Sequence, residues 1–364
     1  MFFLIPTAAA VVGLPYIYLK LRSKKLAGED LSQYDAEVAP FATAAASEGL
    51  DKLNAYIHEM FVVPAQAGNA KGGWENKRER FDEAGLARAF PDDVEFRPDS
   101  ISVDGRDIPG AWTLLPGSDP NKRLLYMHGG AFTVGSDISH RPLTVQLARR
   151  TGMAVFAPNY RLMPENTRRD TIEDARAAYD WILENGPDGA APIEALALAG
   201  DSAGGNLALM LSNWSRDNAA RRPDAVVVFS PTTDATLSSP SMKTNLATDH
   251  MLRPMLKPIL KMPKLFLLPA MQHHYNMSPS DPDQSPIYDD LSNLPPTLVQ
   301  ASSDEVLQDD AVRFAAKAKA AGSPVELQIW AGGLPHVWQI FDEYIAEAEA
   351  ALDEVELFLT KYIK

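Results

Sequence analysis

From Leu124 onward, short apolar runs alternate with segments in which apolar residues recur every three or four positions. The helical segments are Ile172–Leu183, Asn206–Asn218 and Asp310–Ala321. The apolar runs are Leu124–Met127, Ala154–Ala157, Leu196–Ala199, Val226–Phe229, Thr297–Gln300 and Val325–Ile329. Strands that are buried on both faces and alternate with helices form parallel sheets. The pattern therefore predicts an α/β fold with a mostly parallel central sheet flanked by helices.

Other parts of the chain have different periodicities. Alternating apolar residues over Ile101–Leu115, with Asp104-Gly105 at the centre, predict a β-hairpin. Leu50, Leu53 and Ile57 have helical spacing, and Val337–Leu359 carries an apolar stripe that predicts a final helix. Residues 232–285 interrupt the alternation with prolines among apolar side chains, which indicates an insertion after a sheet strand.

The N-terminal segment, residues 1–25, is apolar at first and then basic. Met1–Leu19 has no charged side chain, and Lys20, Arg22, Lys24 and Lys25 follow. This order favours a membrane anchor or membrane contact that leaves the main domain in the cytoplasm. An arm packed on the protein and a cleaved signal are the alternatives, because prolines and a glycine interrupt the apolar run.

Charge and cysteine content exclude several function classes. The 364 residues include 34 basic and 48 acidic side chains, a net charge of −14, which argues against a nucleic-acid partner. The chain has no cysteine, which excludes disulfides, thiolate metal sites and a cysteine nucleophile. No histidine and carboxylate spacing suggests a metal site, so we expect neither a metal nor a cofactor.

A serine stands between a predicted strand and a predicted helix. Gly200-Asp201-Ser202-Ala203-Gly204 fits the G-x-S-x-G pattern, directly after an apolar run and directly before Asn206. In that setting the serine lies on a sharp turn at the end of the sheet, and the small neighbours allow the turn. We therefore predict Ser202 as a nucleophile.

A serine nucleophile needs a base and an orienting acid. His336 is the one histidine that follows the last predicted sheet strand, so it is the predicted base. Asp304 is the first carboxylate after the strand Thr297–Gln300, and we predict it as the acid. Glu305, Asp309 and Asp310 are its rivals, and the last two are better placed to begin the next helix.

A second glycine-containing loop follows the apolar run Leu124–Met127. It is His128-Gly129-Gly130-Ala131-Phe132. Tandem glycines let backbone N–H groups approach a ligand closely. We predict that N–H groups of Gly129, Gly130 and Ala131, together with that of Ala203, bind the oxyanion of a tetrahedral intermediate.

Several motifs in this order resemble the hormone-sensitive-lipase-like family of bacterial esterases, within the α/β-hydrolases. The motifs are His128-Gly-Gly, Tyr160-Arg-Leu-Met-Pro-Glu165, Gly200-Asp-Ser-Ala-Gly-Gly-Asn206, Asp304-Glu-Val-Leu and Pro335-His-Val-Trp338. The resemblance implies a carboxylesterase with Ser202, Asp304 and His336 as its triad, and a preference for short to medium acyl chains. It also implies a helical cap built from residues 26–88 and 232–285 over a catalytic domain of residues 89–231 and 286–364.

Two departures from the family pattern stand out. Ala131 replaces the usual third glycine, and its N–H can serve the oxyanion hole if its φ is negative. Asn166–Asp170 replaces a proline-rich stretch, which we expect to affect a surface segment only. Expected substrate contacts come from the cap and from residues beside the catalytic motifs: Phe132, Asp201, Met251, Leu252, Met255, Leu256 and Val337.

The sequence thus predicts a carboxylic ester hydrolase that acts on a small-molecule ester through an acyl-enzyme. An amidase, arylformamidase or peptidase with the same triad is the first alternative. A non-catalytic small-molecule receptor on this fold is the second, although such a receptor would lose the histidine that this chain keeps. The natural ester, the enantiopreference and the oligomeric state, including a homodimer, stay open.

Overall fold

The computed structural model describes residues 17–62 and 73–364, and a nine-stranded sheet runs through them. The strand order is β1-β11-β10-β9-β8-β4-β5-β3-β2, and β6 and β7 form a separate two-stranded ribbon. The strands are β1 Ala42–Thr43, β2 Glu95–Val103, β3 Arg106–Leu114, β4 Asp119–Met127, β5 Met153–Pro158, β6 Asn185–Gly186, β7 Gly189–Ala190, β8 Ala195–Asp201, β9 Ala225–Phe229, β10 Thr297–Ser302 and β11 Val325–Ala331.

Eleven α-helices lie within the described ranges 17–62 and 73–364. They are α1 over residues 17–26, α2 Glu48–Ile57, α3 Gly73–Leu86, α4 Arg141–Thr151, α5 Arg168–Glu184, α6 Ala203–Asn218, α7 Ser241–Thr244, α8 Arg253–Leu260, α9 Lys264–Tyr275, α10 Gln308–Ala320 and α11 Ala346–Tyr362.

The predicted α/β fold is confirmed, and all six apolar runs form strands of the main sheet. Every neighbouring pair from β4 to β11 in the sheet is parallel, and β2 and β3 form the predicted antiparallel hairpin around Asp104 and Gly105. Because parallel strands end at the same edge, the loops after β4, β8, β9, β10 and β11 meet at one side of the sheet.

Each face of the sheet has its own apolar core. Strand residues alternate between the two faces: Leu125 belongs to the apolar cluster that includes Leu207 of α6 and Phe314 of α10, whereas Leu124 belongs to the cluster that includes Leu143 of α4 and Phe358 of α11. These strands are buried on both faces, which explains why their sequences are continuous apolar runs rather than alternating ones.

The final helix begins later than predicted. Trp338–Phe341 forms a short 3-10 helix, and α11 starts only at Ala346 because Ile345 is extended, with a φ of −136°. The predicted apolar stripe therefore spans two separate helical pieces instead of one helix. Val337 therefore lies in a left-handed turn, with a φ of 54°, rather than at the start of a long helix.

The first of the two segments predicted to form a cap packs on the catalytic domain, and the second, the insertion, contributes three helices. In the first segment, Leu50, Leu53 and Ile57 of α2 pack with Trp330 and Trp338, and β1 pairs with β11. This part therefore packs against the catalytic domain and extends its sheet. The insertion contributes α7, α8 and α9, and two of its prolines lie inside helices. The domain boundaries stay a prediction.

The N-terminal helix α1 lies on the insertion. The Arg22 guanidinium donates to Gln272 Oε1 at 2.7 Å, and the Ser23 hydroxyl donates to the Lys264 carbonyl at 3.2 Å, both on α9. Ile17 and Leu21 are exposed. No helix in the described part of the chain is long and apolar enough to cross a membrane. The apolar run over residues 1–16 lies outside the described residues.

Candidate active site

Ser202 occupies a sharp turn between β8 and α6. Its backbone is strained, with φ 53° and ψ −116°, and its N–H donates to the Phe229 carbonyl of β9 at 2.8 Å. Small residues are required around it, because a Cβ on Gly200 would lie 2.5 Å from the Gly204 carbonyl oxygen, and one on Gly204 would lie 1.9 Å from that of Met127. The strand–turn–helix predicted for the G-x-S-x-G motif is confirmed.

His336 lies in the loop after β11, and its ring is almost fully buried. Its Nδ1 is 2.5 Å from Glu305 Oε2, whereas its Nε2 is buried and has no hydrogen-bond partner in the part of the chain that the structure describes. Burial disfavours the charged ring, but the hydrogen bond that Nδ1–H donates to Glu305 and the negative charge of Glu305 outweigh burial and raise the pKa of His336. Glu305 therefore fixes the imidazole at Nδ1, while Nε2 is left without a hydrogen-bond partner among the described residues.

The predicted contact between Asp304 and His336 is wrong, because Glu305 makes it. β10 ends at Ser302, and the Ser302 hydroxyl accepts from the Asp304 N–H at 3.1 Å. That turn directs the Asp304 carboxylate to the Gly333 N–H, 3.0 Å away. Glu305 is buried, and its other oxygen accepts from the Ser302 N–H at 2.8 Å. The Ser302 N–H at the end of β10 thus holds one carboxylate oxygen of Glu305, and the other oxygen reaches the imidazole of His336.

The two remaining rivals for the acid hold the insertion in place. Asp309 accepts from the Ser241 N–H at 2.7 Å, and Asp310 accepts from the Thr233 N–H at 2.8 Å. Neither carboxylate hydrogen-bonds to His336. Both stand at the start of α10, as predicted, but their partners lie on the segment after β9.

The loops that carry Ser202 and His336 meet at the end of β9. The Ser202 N–H is bonded to Phe229, the last residue of β9, and the next residue, Ser230, accepts from the Val337 N–H at 3.2 Å through its hydroxyl. The Ser302 hydroxyl also donates to the Leu334 carbonyl at 2.7 Å. The ends of three parallel strands thus hold together the segments that carry Ser202, Glu305 and His336.

In the predicted oxyanion loop, the Gly129 N–H is already used. It donates to Asp201 Oδ1 at 2.9 Å, so its assignment to the oxyanion hole is wrong. The N–H groups of Gly130 and Ala131 donate no hydrogen bond to any other described residue. Ala203 is the first residue of α6, where a helix leaves its N–H groups without partners. Gly130, Ala131 and Ala203 remain as candidate donors.

The Ala131 N–H was expected to serve the oxyanion hole if the φ of Ala131 were negative, but that φ is +52°. Phe132 is also left-handed, with a φ of +61°. Such a backbone is unfavourable for residues that have a Cβ. The loop therefore needs contacts from outside to keep its shape, although the Ala131 N–H is still present.

Asp201 supports the predicted oxyanion loop, and its expected contact with substrate stays a prediction. Its side chain is buried, and it accepts from the Tyr126 hydroxyl at 2.6 Å as well as from Gly129. Its second oxygen lies 3.4 Å from His140 Nε2. Burial alone would raise the pKa of Asp201, but His140 and Tyr126 hold the pKa below its ordinary value.

The comparisons with known proteins agree with this geometry. A model of the alpha/beta hydrolase fold matches residues 124–340. An esterase of Acinetobacter venetianus is 34% identical over 281 residues, covering 76% of this chain and 86% of that protein. The structure of an esterase from the bacterial hormone-sensitive lipase family has a TM-score of 0.73, with 31% identity, and the match covers 88% of this chain and 100% of that one.

The chain belongs to the bacterial hormone-sensitive lipase family of α/β-hydrolase esterases. An acetyl-hydrolase of Streptomyces hygroscopicus is also similar, 35% identical over 244 residues, covering 67% of this chain and 77% of that protein. The predicted family and the predicted class of enzyme, a carboxylesterase, are both confirmed.

In this esterase the predicted substrate contacts do not form one group. Leu252 and Leu256 pack with Val306 and Leu307, directly after Glu305. Met251 packs with the cluster around Trp330, and Met255 is 45% exposed. Phe132 and Val337 are buried in the oxyanion loop and beside His336. Leu252 and Leu256 therefore pack beside the loop that carries Glu305, and Met251 packs in the cluster that holds Leu334 and Trp338, on either side of His336.

Sequence reasoning missed the residues that brace the esterase site. His128 stacks on Tyr160 with ring centroids 4.1 Å apart, and burial lowers its pKa to about 3, so it is neutral. The sequence offered one indication of this role for Tyr126, because a tyrosine inside a buried strand needs a hydrogen-bond partner for its hydroxyl. The sequence offered no such indication for His140 or Arg168.

No group of three or more His, Asp or Glu suited to a metal occurs in residues 17–62 and 73–364.

Proposed function

We propose that this esterase uses Ser202 as nucleophile, His336 as general base and Glu305 as the orienting acid. The observation that carries the proposal is the buried His336, bonded to Glu305 through Nδ1 and open at Nε2, beside the strand end that holds Ser202. This is the arrangement that a serine hydrolase needs, because an alcohol becomes nucleophilic only as a base removes its proton.

The residues account for each proton in the reaction. Ser202 Oγ bonds to the acyl carbon while His336 Nε2 takes the hydroxyl proton, and the carbonyl electron pair moves to the oxygen. The N–H groups of Gly130, Ala131 and Ala203 stabilise that oxyanion. The intermediate then collapses, and His336 gives its proton to the departing alkoxide. Water repeats the sequence on the acyl-enzyme and releases the acid and free Ser202.

Glu305 keeps the imidazole in the required tautomer. Its Oε1 is held by the Ser302 N–H, so Oε2 faces Nδ1 and Nε2 is left to exchange protons with Ser202. The negative charge of Glu305 also stabilises the imidazolium formed during each step.

We further propose short to medium acyl chains. The proposal is supported by the side chains of Ala131 and Phe132, which are bulkier than glycine and occupy space in the predicted oxyanion loop, and by one relative of this esterase that is an acetyl-hydrolase. A series of p-nitrophenyl esters from acetate to laurate, with wild type and Ser202→Ala, tests both proposals. We expect kcat/KM to peak at six carbons or fewer and to vanish in the variant. A peak at laurate would contradict the chain-length proposal alone.

Membrane contact through residues 1–25 and a homodimer stay predictions. The exposed Ile17, Tyr18 and Leu21 of α1 lie in the same helix as Lys20 and Lys24, which is the composition expected for a surface contact with anionic lipid. Cosedimentation with anionic vesicles tests the first prediction, and sedimentation velocity without vesicles tests the second.

A further inference from the structure

Arg168 is a buried cation in the segment that departs from the family pattern. The segment over residues 166–170 was expected to matter only at the surface, yet Arg168, the first residue of α5, is fully buried. No carboxylate in the described residues forms a salt bridge with it, because the nearby Asp283 pairs with Arg176 instead, and the Nη1 of Arg168 has no hydrogen-bond partner there. A buried charge without a counter-ion is costly, so its surroundings have to compensate for it in another way.

Arg168 contacts the oxyanion loop, the helix α6 and the end of the insertion. Its guanidinium lies over the face of Phe132 in the oxyanion loop, 4.0 Å from the ring centroid. Its Nη2 donates to Asn206 Oδ1 at 2.6 Å, and its Nε donates to Gln284 Oε1 at 3.1 Å. Asn206 in turn donates its backbone N–H to the Ser202 carbonyl at 3.0 Å.

From this geometry we propose that Arg168 is a positioning residue that fixes the oxyanion loop against the nucleophile helix α6. The inference rests on the proposed function. One half of the oxyanion hole, the Ala131 N–H, lies in a loop with two left-handed residues, Ala131 and Phe132. The other half, the Ala203 N–H, lies at the start of α6. Arg168 holds both halves, through Phe132 and through Asn206.

A cation is better suited to this place than an apolar side chain. The face of a phenylalanine ring carries partial negative charge, and its attraction for a cation is strongest where water is excluded. The planar guanidinium can stack on the ring and donate within its own plane at the same time, which lysine cannot do. Burial lowers the pKa of Arg168 to about 10, so it stays charged at neutral pH.

The test compares Arg168→Met with Arg169→Met, because Arg169 is the exposed neighbour. For p-nitrophenyl butyrate we expect Arg168→Met to lower kcat by about 10-fold or more with little change in KM, and Arg169→Met to stay within about 2-fold of wild type. A trifluoromethyl ketone forms a tetrahedral adduct with the serine and places an oxyanion in the hole. Its Ki should rise in Arg168→Met by the same factor as kcat falls.

A folded Arg168→Met enzyme that binds the ketone as tightly as wild type would overturn the inference. If Arg168→Met does not fold, as judged by its circular dichroism, Arg168→Lys takes its place. It keeps the charge but not the planar contact, and we expect a smaller loss in the same two constants. An Arg168→Lys enzyme equal to wild type in both constants would likewise overturn it.

A double-mutant cycle shows whether the effect passes through Phe132. We expect Phe132→Leu combined with Arg168→Met to be no worse than Phe132→Leu alone by more than about 2-fold. Losses that multiply would contradict that route. Wild-type protein that cleaves no ester would overturn the proposed function, whereas an active wild type with an equally active Arg168→Met variant overturns this inference alone.

Discussion

Gly129 donates its backbone N–H to the carboxylate of Asp201 at 2.9 Å, so the residue directly before the proposed nucleophile, Ser202, holds the proposed oxyanion loop. The bond links the end of β8 to the loop after β4. An acidic side chain can be buried at this point because Tyr126 and Gly129 donate hydrogen bonds to Asp201 and His140 Nε2 lies 3.4 Å from its second oxygen.

Asp201→Asn tests that link. The substitution keeps the size of the side chain but removes the charge that Tyr126 and His140 face. We expect kcat to fall by about 10-fold, less than the loss of a direct oxyanion donor, with KM nearly unchanged. Tyr126→Phe, which removes one donor and leaves the Gly129 bond, should have a smaller effect. Wild-type kcat in Asp201→Asn would mean that the loop keeps its shape without the charge.

Ser202→Ala and His336→Ala should each lower kcat by roughly 10³-fold or more. The reason is that proton transfer and nucleophilic attack are one concerted unit, so the double variant should be little worse than either single one. Steady-state kinetics on p-nitrophenyl butyrate measures the loss, and thermal unfolding checks that the variants fold. Residual activity of a tenth or more in Ser202→Ala would assign the nucleophile elsewhere.

Glu305→Gln should reduce kcat much more than Asp304→Asn. Glutamine keeps the hydrogen bond to Ser302 but can present an amide to Nδ1, which favours the wrong tautomer; by analogy with triad acids the loss is about 10³–10⁴-fold. Asp304 bonds to Gly333 and does not hydrogen-bond to the imidazole, so its variant is the matched control and should stay within about 3-fold. Equal losses in the two variants would contradict the assignment of the acid to Glu305.

The pH dependence of kcat/KM should report the pKa of His336 in the free enzyme. Since Glu305 raises that pKa and the base works only when neutral, activity should rise with pH with a midpoint above the ordinary imidazole value of about 6.5. In Glu305→Gln burial still disfavours the charged ring but the carboxylate is gone, so the midpoint should move to lower pH. Asp304→Asn should leave it in place. An unchanged midpoint in Glu305→Gln would show that another group titrates.

Ala131→Gly should stabilise the protein. The left-handed backbone at Ala131 costs an alanine about 1–2 kcal/mol, and a glycine loses about 0.5–1 kcal/mol more chain entropy on folding, so a net gain of about 0.5–1 kcal/mol is expected. Urea unfolding measures it. Ala177→Gly, inside α5, is the control and should destabilise by about 1 kcal/mol. Loss of stability in Ala131→Gly would indicate that the methyl group packs favourably.

The sequence was sufficient to predict those parts of the fold that depend on local residue patterns. Buried strands, the hairpin and the turn at Ser202 follow from apolar runs, Asp104-Gly105 and small residues at fixed spacing. The choice between Asp304 and Glu305 could not be made in this way, because it depends on how the turn between β10 and α10 directs two adjacent carboxylates. Arg168 was placed at the surface because a charged residue is usually solvated, and only the tertiary packing of Phe132 over it reverses that expectation.

The pairing of β1 with β11 has a consequence for biosynthesis. Ala42 pairs with Trp330, so two strands from nearly opposite parts of the sequence complete one edge of the sheet. Contacts of such long range form late and slowly. During translation, β1 leaves the ribosome almost a whole chain before β11, so its backbone groups stay without their sheet partner and can pair with other chains in the meantime. Chaperone demand for this esterase should therefore concentrate on the segment around β1 until β11 is made.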